Sequence, residues 1–384
     1  MHILVVSAQW PSDGKTGLGV IAAKHVEFLA ENGYQVSALG ISTKFLDDVL
    51  IPAKKYYISS RGSGALYSPS RISLEDLRHL LNKIKPSLII VQGWQTGLSE
   101  AVVKVGNELG INILLISHGV SVHPFTYLPR DLLRSAGWFF YRNFVLRSMI
   151  RRLSGLTALD LTCDSNRFHD RKLASKLSVP VYKLQNFPIH MPQRFLPFSE
   201  RKRQLLVVGY FSYIKNQLAA INMLLALPSD IKLIFLGRKS GAYYERCLAL
   251  VDRLKLADRI QFVSDDECSV SALMAESIVV LSTSITEAMP INLIEASASG
   301  TPFVARSIGA IPSLNGGRCF RDDVAMIDEV RILCGSPSYW NIFSKRGLEQ
   351  YRKEFTEAQS RLNFLEIVQN IKYINRAGND LINA

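Results

Sequence analysis

The chain has 384 residues, of which 48% are hydrophobic and 20% charged, and this balance excludes an intrinsically disordered protein. Its length exceeds what one ordinary hydrophobic core supports, which predicts two domains. The formal net charge is +12, of which +9 falls within residues 1–192, so the basic excess belongs to the first half.

The cysteines and the apolar runs predict a cytoplasmic location. The five cysteines are scattered and include no CxxC pair, which favours a reducing compartment and argues against a disulfide or zinc framework. The N-terminal run MHILVVSAQWP lacks the basic region of a signal peptide and is typical of a first strand. The uncharged stretch 109–129 contains polar residues and proline, which argues against a membrane span.

Strand-like runs alternate with helical patterns along the first half: HILVVSA, VIAAKHVEFLAENG, QVSALGIS, LEDLRHLLNKIKP, SLIIVQG, GLSEAVVKVGNELG and INILLIS. The alternation breaks at 186–204, a proline-rich and charged linker candidate. It resumes with LLVVGYF and continues to TPFVA. The order predicts an α/β protein of two doubly wound, Rossmann-like domains, with parallel sheets and a ligand site in the cleft between them.

Two carboxylates, Glu287 and Glu295, flank a proline in the stretch SITEAMPINLIEASASGTPFVA. Pro290 is expected to start a helix, because proline is tolerated in the first helical turn. The free N–H groups at that helix start would bind a phosphate, and each carboxylate would accept from sugar hydroxyls. A nucleotide sugar fits this pattern, but spacing alone supports an ordinary surface helix equally well.

From Leu205 to about Leu314 the chain resembles the nucleotide-binding domain of the retaining GT-B glycosyltransferases of family 4, whose E-x7-E motif reads EGFP…EA. The resemblance implies that Glu295 binds the ribose and Glu287 the donor sugar, while the amides around Asn292 and Leu293 hold a phosphate. The family's glycine and phenylalanine are replaced here by Ala288 and Met289. Met289 stays a predicted donor-site residue, and the extra methyl of Ala288 is expected to narrow the sugar pocket.

The loop VVGYFSYIKNQ follows the first strand of the second half. A lysine there would neutralise a departing diphosphate. In the family this loop reads G-R-x…K-G, which implies that Gly209 lines the donor site and Lys215 contacts the diphosphate. Tyr210 stands where the family has arginine, so the source of the second positive charge is open. The alternative is that Lys215 is an ordinary solvated lysine.

Two features of the first half resemble donor-side elements of the family. Gly17 and Gly19 form a pattern that superficially resembles a dinucleotide fingerprint, but QVSALGIST offers no acid after the second strand, which argues against NAD. The family's glycine-rich first loop closes over the donor diphosphate, and a plain strand-to-helix turn is the alternative. His118, in SHGVSVH, resembles the family's strand-end His-Gly, whose neutral imidazole would bind a donor hydroxyl or the leaving phosphate.

Residues 129–152 contain six arginines and one aspartate among aromatic residues. Such segments can lie on an anionic membrane surface, and no recognised nucleic-acid module accompanies this one. A helix pair that buries its aromatics and solvates its arginines is the alternative.

Together with the resemblance, these features predict a glycosyltransferase of the hexosyltransferase type, and the resemblance implies that it retains the anomeric configuration. We expect a nucleotide diphosphate sugar donor, a UDP-sugar in preference to a GDP-sugar, and neither a cofactor nor a metal. The expected acceptor is a membrane-associated glycan or lipid-linked saccharide of envelope polysaccharide or lipopolysaccharide synthesis, which would place the enzyme in the cytoplasm at the inner face of the membrane. The alternatives are a GT-B nucleotide-sugar epimerase and a non-catalytic nucleotide-binding subunit.

The resemblance also implies a domain arrangement. Residues 1–190 would bind the acceptor and residues 191–356 the nucleotide sugar. The last helix, at about 357–384, would pack back on the first domain.

Overall fold

A computed structural model describes residues 1–13, 17–47, 51–61, 71–120, 136–192, 194–264 and 266–382. The chain divides into two compact units, residues 1–186 with 358–384 and residues 187–357. Each unit contains a parallel sheet covered by helices, so the predicted α/β class with two doubly wound domains is confirmed.

The sheet of the first unit has seven strands in the order β3-β2-β1-β6-β7-β8-β9, and every neighbouring pair is parallel. A separate antiparallel pair is formed by β4 and β5. The strands are β1 (His2–Ser7), β2 (Gln35–Gly40), β3 (Lys54–Tyr57), β4 (Ser60–Arg61), β5 (Arg71–Ile72), β6 (Leu88–Gln92), β7 (Asn112–Ile116), β8 (Gly155–Ala158) and β9 (Val181–Lys183). The central strands are almost continuously apolar because helices cover both faces of the sheet.

Two helices of the first unit begin at a side-chain cap. Ser73 caps the second helix, and Thr96 forms a capping box with Ser99 at the start of the third. The α-helices are α1 (Gly17–Glu31), α2 (Leu74–Ile84), α3 (Gly97–Glu108), α4 (Leu146–Ile150) and α5 (His169–Lys176), and the last helix of the chain, Glu357–Ile382, begins at the end of the second unit and runs through the final segment of the first. A π-helix, Tyr141–Val145, leads directly into α4. None of the described helices is long and apolar enough to cross a membrane.

The sheet of the second unit has six parallel strands in the order β12-β11-β10-β13-β14-β15. The strands are β10 (Lys202–Val208), β11 (Lys232–Leu236), β12 (Ile260–Val263), β13 (Ser277–Ser282), β14 (Phe303–Arg306) and β15 (Gly317–Phe320). The α-helices are α6 (Gln217–Leu224), α7 (Ala242–Leu254), α8 (Val270–Glu276), α9 (Ile291–Ala298), α10 (Asp323–Gly335) and α11 (Pro337–Glu354), and the last helix of the chain is α12 (Glu357–Ile382). The strand order reverses between β10 and β13, which is where doubly wound sheets bind ligands.

A buried arginine fixes the C-terminal end of α9. Arg201 is 6% exposed, and its guanidinium donates to the carbonyls of Ser299 and Gly300 at 3.1 and 3.2 Å and to Thr301 Oγ1 at 2.6 Å. The same group lies 4.6 Å from the ring centre of Trp340. A cation is favoured at this end because the last carbonyls of a helix carry partial negative charge. Sequence patterns did not indicate this role.

Candidate active site

Two of the predicted site residues form an ion pair in the second unit. Lys215 follows β10 and Glu287 follows β13, and these strands are parallel neighbours whose carboxyl ends share one edge of the sheet. Lys215 Nζ lies 2.6 Å from Glu287 Oε1, and the two side chains are only 20% and 13% exposed. The topology therefore joins a cation and an anion that are separated by 72 positions in the sequence.

The loop that carries Lys215 is held by buried polar contacts. The side-chain amide of Gln217, which is 1% exposed, donates to Tyr210 O at 3.0 Å. Thr283 Oγ1 donates to the carbonyls of Lys215 and Asn216 at 3.2 and 2.9 Å. The methylene stem of Lys215 packs against Gly209, where a Cβ would lie 3.3 Å from Lys215 Cε. The lysine is thus positioned by its backbone and by its methylene stem, and its contact with a diphosphate stays a prediction.

The start of α9 lies beside this ion pair in sequence. Pro290 precedes the first helical residue with extended backbone angles, as the proline position predicted. The amides of Asn292 and Leu293 were expected to bind a phosphate. The amide of Leu293 already donates to Pro290 O at 3.2 Å, a hydrogen bond within the first turn of the helix. The side chains of Met289 and Leu293 are buried, at 4% and 0% exposure. Their roles at the donor stay predictions.

Asn292 contributes a side chain as well as an amide to this helix start. Its Nδ2 donates to Val208 O at 3.0 Å, which connects α9 to the end of β10. Its Oδ1 is buried and has no hydrogen-bond partner among the residues that the structure describes. A buried acceptor without a partner is costly, and a ligand hydroxyl could satisfy it.

Glu295 lies in α9 and is 4% exposed. Its Oε1 accepts from the backbone N–H groups of Ile189 and His190 at 3.1 and 2.9 Å. Burial raises the pKa of this carboxyl to about 7, although the two amide hydrogen bonds favour its ionised form. The resemblance implied that Glu295 binds the ribose, but the sequence did not indicate these hydrogen bonds to Ile189 and His190. Both of them use Oε1, so Oε2 is the oxygen that could accept from hydroxyls.

A glycine supports the backbone next to Glu287. Gly309 has φ +55°, and a Cβ there would lie 2.1 Å from Glu287 O and 2.3 Å from Ala288 O. Ala310 N donates to Ala288 O at 2.7 Å. Only glycine fits between these carbonyls. The IGAIP stretch therefore fixes the backbone position of the loop that carries Glu287.

In the first unit His118 follows β7 and is half-buried. Its Nε2 lies 3.4 Å from Gln92 Oε1, and Gln92 Nε2 lies 2.9 Å from Nδ1 of the buried His25. Burial lowers the pKa of His118 to about 4 and that of His25 to about 3. Both imidazoles are therefore neutral at pH 7, as the predicted role of His118 requires.

The residue before His118 belongs to a buried polar cluster that sequence reasoning missed. Asp170 is 1% exposed, and its Oδ2 accepts from Trp94 Nε1 at 2.8 Å and from Ser117 Oγ. Burial raises the pKa of Asp170, while its hydrogen bonds to the Ser117 hydroxyl, the Arg171 amide and the Trp94 indole favour the ionised form. The cluster fixes the backbone at the end of β7 and therefore the position of His118 Cα.

Both glycines of the predicted glycine-rich loop, Gly17 and Gly19, lie in the first turn of α1. Gly17 is the first residue of α1, and the preceding residues 14–16 lie outside the described ranges. A Cβ on Gly19 would lie 2.9 Å from the carbonyl carbon of Trp10. Close packing of α1 against Trp10 therefore accounts for Gly19, and a role of either glycine at the donor diphosphate stays a prediction.

The aromatic residues of 136–152 divide between core and solvent, and residues 129–135 lie outside the described part. Trp138 and Tyr141 pack against the core of the first unit, and Tyr141 Oη donates to Glu100 Oε1 at 2.8 Å. Phe139, Phe140 and Phe144 are 54%, 61% and 63% exposed and contact one another. These three residues are called the aromatic patch below. Neither alternative from the sequence describes the whole segment.

Among the described residues no cluster of three potential metal ligands occurs. Metal independence of the reaction stays a prediction.

Comparisons with known proteins agree with this architecture. Residues 193–316 match the family model of glycosyl transferases group 1, a range that includes Lys215, Glu287 and Glu295. No curated protein sequence matches the chain.

Solved glycosyltransferase structures share the fold over nearly the whole chain. A sucrose-phosphate synthase from Thermosynechococcus elongatus is 18% identical with a TM-score of 0.72, covering 97% of this chain and 99% of that one. Anabaena HepE in complex with UDP-glucose is 12% identical with a TM-score of 0.70, covering 96% and 100%. The lipopolysaccharide outer core galactosyltransferase WaaB is 15% identical with a TM-score of 0.66, covering 96% and 99%. The chain therefore has the GT-B fold, and residues 193–316 of its second unit match the model of glycosyl transferases group 1.

Proposed function

We propose that this protein transfers a sugar from a nucleoside diphosphate sugar to a hydroxyl of a glycan or lipid-linked acceptor, with retention of anomeric configuration. The observation that carries the proposal is the Lys215–Glu287 ion pair, 2.6 Å long, in the loops that precede α6 and α9. A cation, a helix start, and one buried and one partly buried carboxylate in one domain match the diphosphate, sugar and ribose of such a donor.

Each residue takes one part of the donor. Lys215 releases Glu287 and neutralises the diphosphate, and Glu287 then accepts from the donor sugar. Glu295 accepts from the ribose through the oxygen that the amides of Ile189 and His190 leave available. The HepE structure contains UDP-glucose, which supports a UDP-sugar as the donor here.

The reaction breaks the bond between the anomeric carbon and the diphosphate oxygen. The acceptor hydroxyl forms its new bond on the same face of the sugar, and its proton passes to the leaving phosphate. Lys215 stabilises the negative charge that develops on that phosphate. Retention rests on the resemblance to family 4. Displacement on the same face is proposed because the sequence shows no candidate carboxylate nucleophile on the acceptor side.

Nucleotide binding tests the donor site directly. At a hundred times its dissociation constant, UDP is expected to stabilise the second unit by about 2.7 kcal/mol and raise its melting temperature by about 5 to 10 °C. The variant K215M should lose most of this shift, because the diphosphate then lacks its counter-charge. GDP, ADP and CMP, measured beside UDP, would identify the base.

A matched variant distinguishes the site from a general charge effect. Lys202 forms an ion pair of the same 2.6 Å length with Glu276 outside the site. K202M should retain the UDP shift. An undiminished shift in K215M would remove Lys215 from the donor site, and no response to any nucleotide would contradict the proposed function.

The acceptor is proposed to be membrane-associated, which would bring the protein to the inner face of the cytoplasmic membrane. The aromatic patch exposes three phenylalanines next to Arg142 and Arg147 on one short helical segment. Exposed aromatics flanked by arginines suit an anionic bilayer surface, where each basic residue near the headgroups contributes about 1 kcal/mol. WaaB, which shares the fold, is a galactosyltransferase of the lipopolysaccharide outer core, and this supports an acceptor of the same class here.

Vesicle sedimentation tests this surface. The wild type is expected to bind vesicles with anionic lipid more tightly than neutral ones, and less tightly as salt increases. The double variant F140S/F144S should bind at least about tenfold more weakly, because each phenylalanine that inserts contributes on the order of 1 kcal/mol or more. Phe195 is 53% exposed in the second unit, and F195S is the control. Equal binding of the double variant and the wild type would exclude the aromatic patch as the membrane contact.

A further inference from the structure

A cavity lies beside α5 in the first unit. Its volume is about 580 Å³, a size typical of small-molecule sites. One wall is α5, and the others are the segment that follows β8 and the start of β9. Its lining residues all belong to the first unit and are distinct from those of the candidate active site. It is called the α5 cavity below.

The α5 cavity is basic. Three cations line it, Arg171, Lys172 and Lys176, together with one carboxylate, Asp164, which gives a net charge of +2. Basic residues in the last turn of a helix are favoured by its dipole, so the two lysines alone do not indicate a ligand. The contacts of the arginine provide the second observation.

Arg171 is the buried cation of the cavity. It is 8% exposed, and two of its N–H groups donate to Asp160 O and Cys163 O at 2.9 and 2.8 Å. A guanidinium carries five N–H groups, and the other three have no acceptor in the part of the chain that the structure describes. An anion in the cavity would supply these acceptors, and arginine suits the oxygens of a phosphate.

The two lysines are accessible to such an anion. Lys176 is exposed and has neither an ion-pair nor a hydrogen-bond partner among the described residues. Lys172 Nζ lies 2.5 Å from Asp164 Oδ1, in a pair whose carboxylate is 88% exposed. An ion pair this exposed contributes little free energy, so a doubly charged phosphate can replace the carboxylate at Lys172.

The cavity adjoins the segment that carries the aromatic patch. Leu146 of α4 and Leu173 of α5 belong to one core, so the two helices pack together. Arg142 lies in the π-helix between Phe140 and Phe144. Burial, followed by the charges of Arg142 and of the two α5 lysines, lowers the pKa of His169 to about 4. The basic residues of α5 therefore lie next to the segment with the exposed phenylalanines.

We propose that the α5 cavity binds a doubly charged phosphate headgroup of a membrane lipid, with Arg171, Lys172 and Lys176 as its ligands. The net charge of +2 matches two negative charges, whereas a phosphodiester headgroup carries one. Leu161, which is 45% exposed, and Val181 also line the cavity and would contact the first carbons of the lipid. The proposal rests on the membrane contact in the proposed function and deepens it, because it names the lipid chemistry that is recognised.

Vesicle flotation at matched surface potential tests the preference for two charges. One set of vesicles contains phosphatidylcholine with phosphatidic acid, a phosphomonoester. The other contains phosphatidylcholine with phosphatidylglycerol, a phosphodiester, and is adjusted to the same zeta potential. At pH 8 the wild type is expected to bind the phosphatidic acid vesicles about tenfold more tightly, because charge-assisted hydrogen bonds are the strong ones. Equal binding to the two sets would overturn the proposal.

A double variant assigns the preference to the cavity. K172M/K176M removes both lysines, keeps Arg171 with its backbone contacts, and should bind the two sets of vesicles equally. Lys44 and Lys83 are exposed in the first unit and do not line the cavity, so K44M/K83M is the control of equal charge and should retain the preference. A preference that persists in K172M/K176M, or that disappears equally in the control, would contradict the assignment.

The pH dependence gives a separate readout. A phosphomonoester gains its second proton near a pH of about 6, whereas a phosphodiester keeps one charge. Between pH 5 and 8 the groups around the cavity keep their charge: the hydrogen bond to Lys172 lowers the pKa of Asp164, His169 has a pKa of about 4, and burial raises the pKa of Tyr182 on β9. Arginine and lysine side chains are cationic over this range. The preference should therefore decrease as the pH falls from 8 to 5, and a constant preference would count against the site.

Inorganic phosphate distinguishes a lipid from a soluble ligand. Added at the concentration of the accessible phosphatidic acid, it should leave the wild type on the vesicles, because it offers no contact to the apolar wall or the aromatic patch. Sodium chloride at equal ionic strength corrects for screening. Release by inorganic phosphate at that concentration would show a site for soluble phosphate and overturn the lipid assignment.

The membrane contact and the phosphate site fail in different ways. A wild type that binds no anionic vesicle would contradict the membrane contact in the proposed function. A wild type that binds both sets equally would leave that contact intact and overturn only the phosphate site. F140S/F144S should weaken binding to both sets while the ratio between them stays the same, and loss of the ratio in this variant would contradict a separate site in the α5 cavity.

Discussion

Replacing Gly309 by alanine is expected to lower sugar transfer at least about a hundredfold. The new Cβ would lie 2.1 Å from Glu287 O and 2.3 Å from Ala288 O, distances that no real contact tolerates. Backbone must move, because no flexible side chain separates the atoms. The loop that carries Glu287 is the part that moves, and a displacement near 1 Å at a catalytic group costs on the order of a hundredfold in rate.

The measurement is kcat for transfer together with the melting temperature of the variant. Gly309 also has φ +55°, so alanine is strained there even if the loop gives way. Gly335, at the end of α10, has no atom within 4 Å of a built Cβ and provides the control. G335A should retain wild-type rate and stability. Wild-type transfer by G309A would show that the Glu287 loop does not depend on this contact.

Replacing Glu295 by glutamine is expected to stabilise the second unit at pH 8 while it weakens nucleotide binding. Burial raises the pKa of Glu295 to about 7 from an ordinary value of 4.5. The folded unit therefore binds more protons than the unfolded chain between these values. Stability from this group is fully present below pH 4.5 and is lost as pH rises through 7.

Glutamine cannot ionise, so the loss does not occur in E295Q. The difference between the folded and unfolded pKa of Glu295 corresponds to about 3 kcal/mol of unfolding free energy. The side-chain carbonyl of the glutamine can still accept from the amides of Ile189 and His190. The second unit should melt about 6 °C or more above the wild type at pH 8, with the difference disappearing towards pH 4.5. Calorimetry over this pH range measures it.

Nucleotide affinity should change in the opposite sense. A carboxylate accepts from ribose hydroxyls more strongly than an amide, so E295Q should bind UDP about tenfold or more weakly at pH 8. Glu349 is exposed on α11, and E349Q is the control for both measurements. Equal melting of E295Q and wild type at pH 8 would show that Glu295 is not penalised by burial. Equal UDP affinity would remove the ribose role.

The order of strands and helices could be predicted because it depends on neighbours in sequence. The same holds for α9, which contains Glu295 and follows Glu287. Apolar runs such as LLVV and SLIIV identify buried parallel strands, and Pro290 marks the start of α9 because proline suits the first helical turn. The prediction of a GT-B fold was confirmed by the solved structures that share it. Six strands were not predicted, since they are only two to four residues long and lack a distinctive pattern: β3, β4, β5, β8, β9 and β15.

The sequence by itself therefore determined the alternation of strands and helices, the two parallel sheets and the position of the Glu-x7-Glu helix, because local periodicity and proline geometry encode them. Only the tertiary structure decided which distant groups meet. Lys215 reaches Glu287 because β10 and β13 are neighbours, and Glu295 accepts from Ile189 and His190 across 105 positions and more. Gly309 supports the Glu287 loop in the same way. Such contacts arise from strand order and burial, which spacing along the chain does not specify.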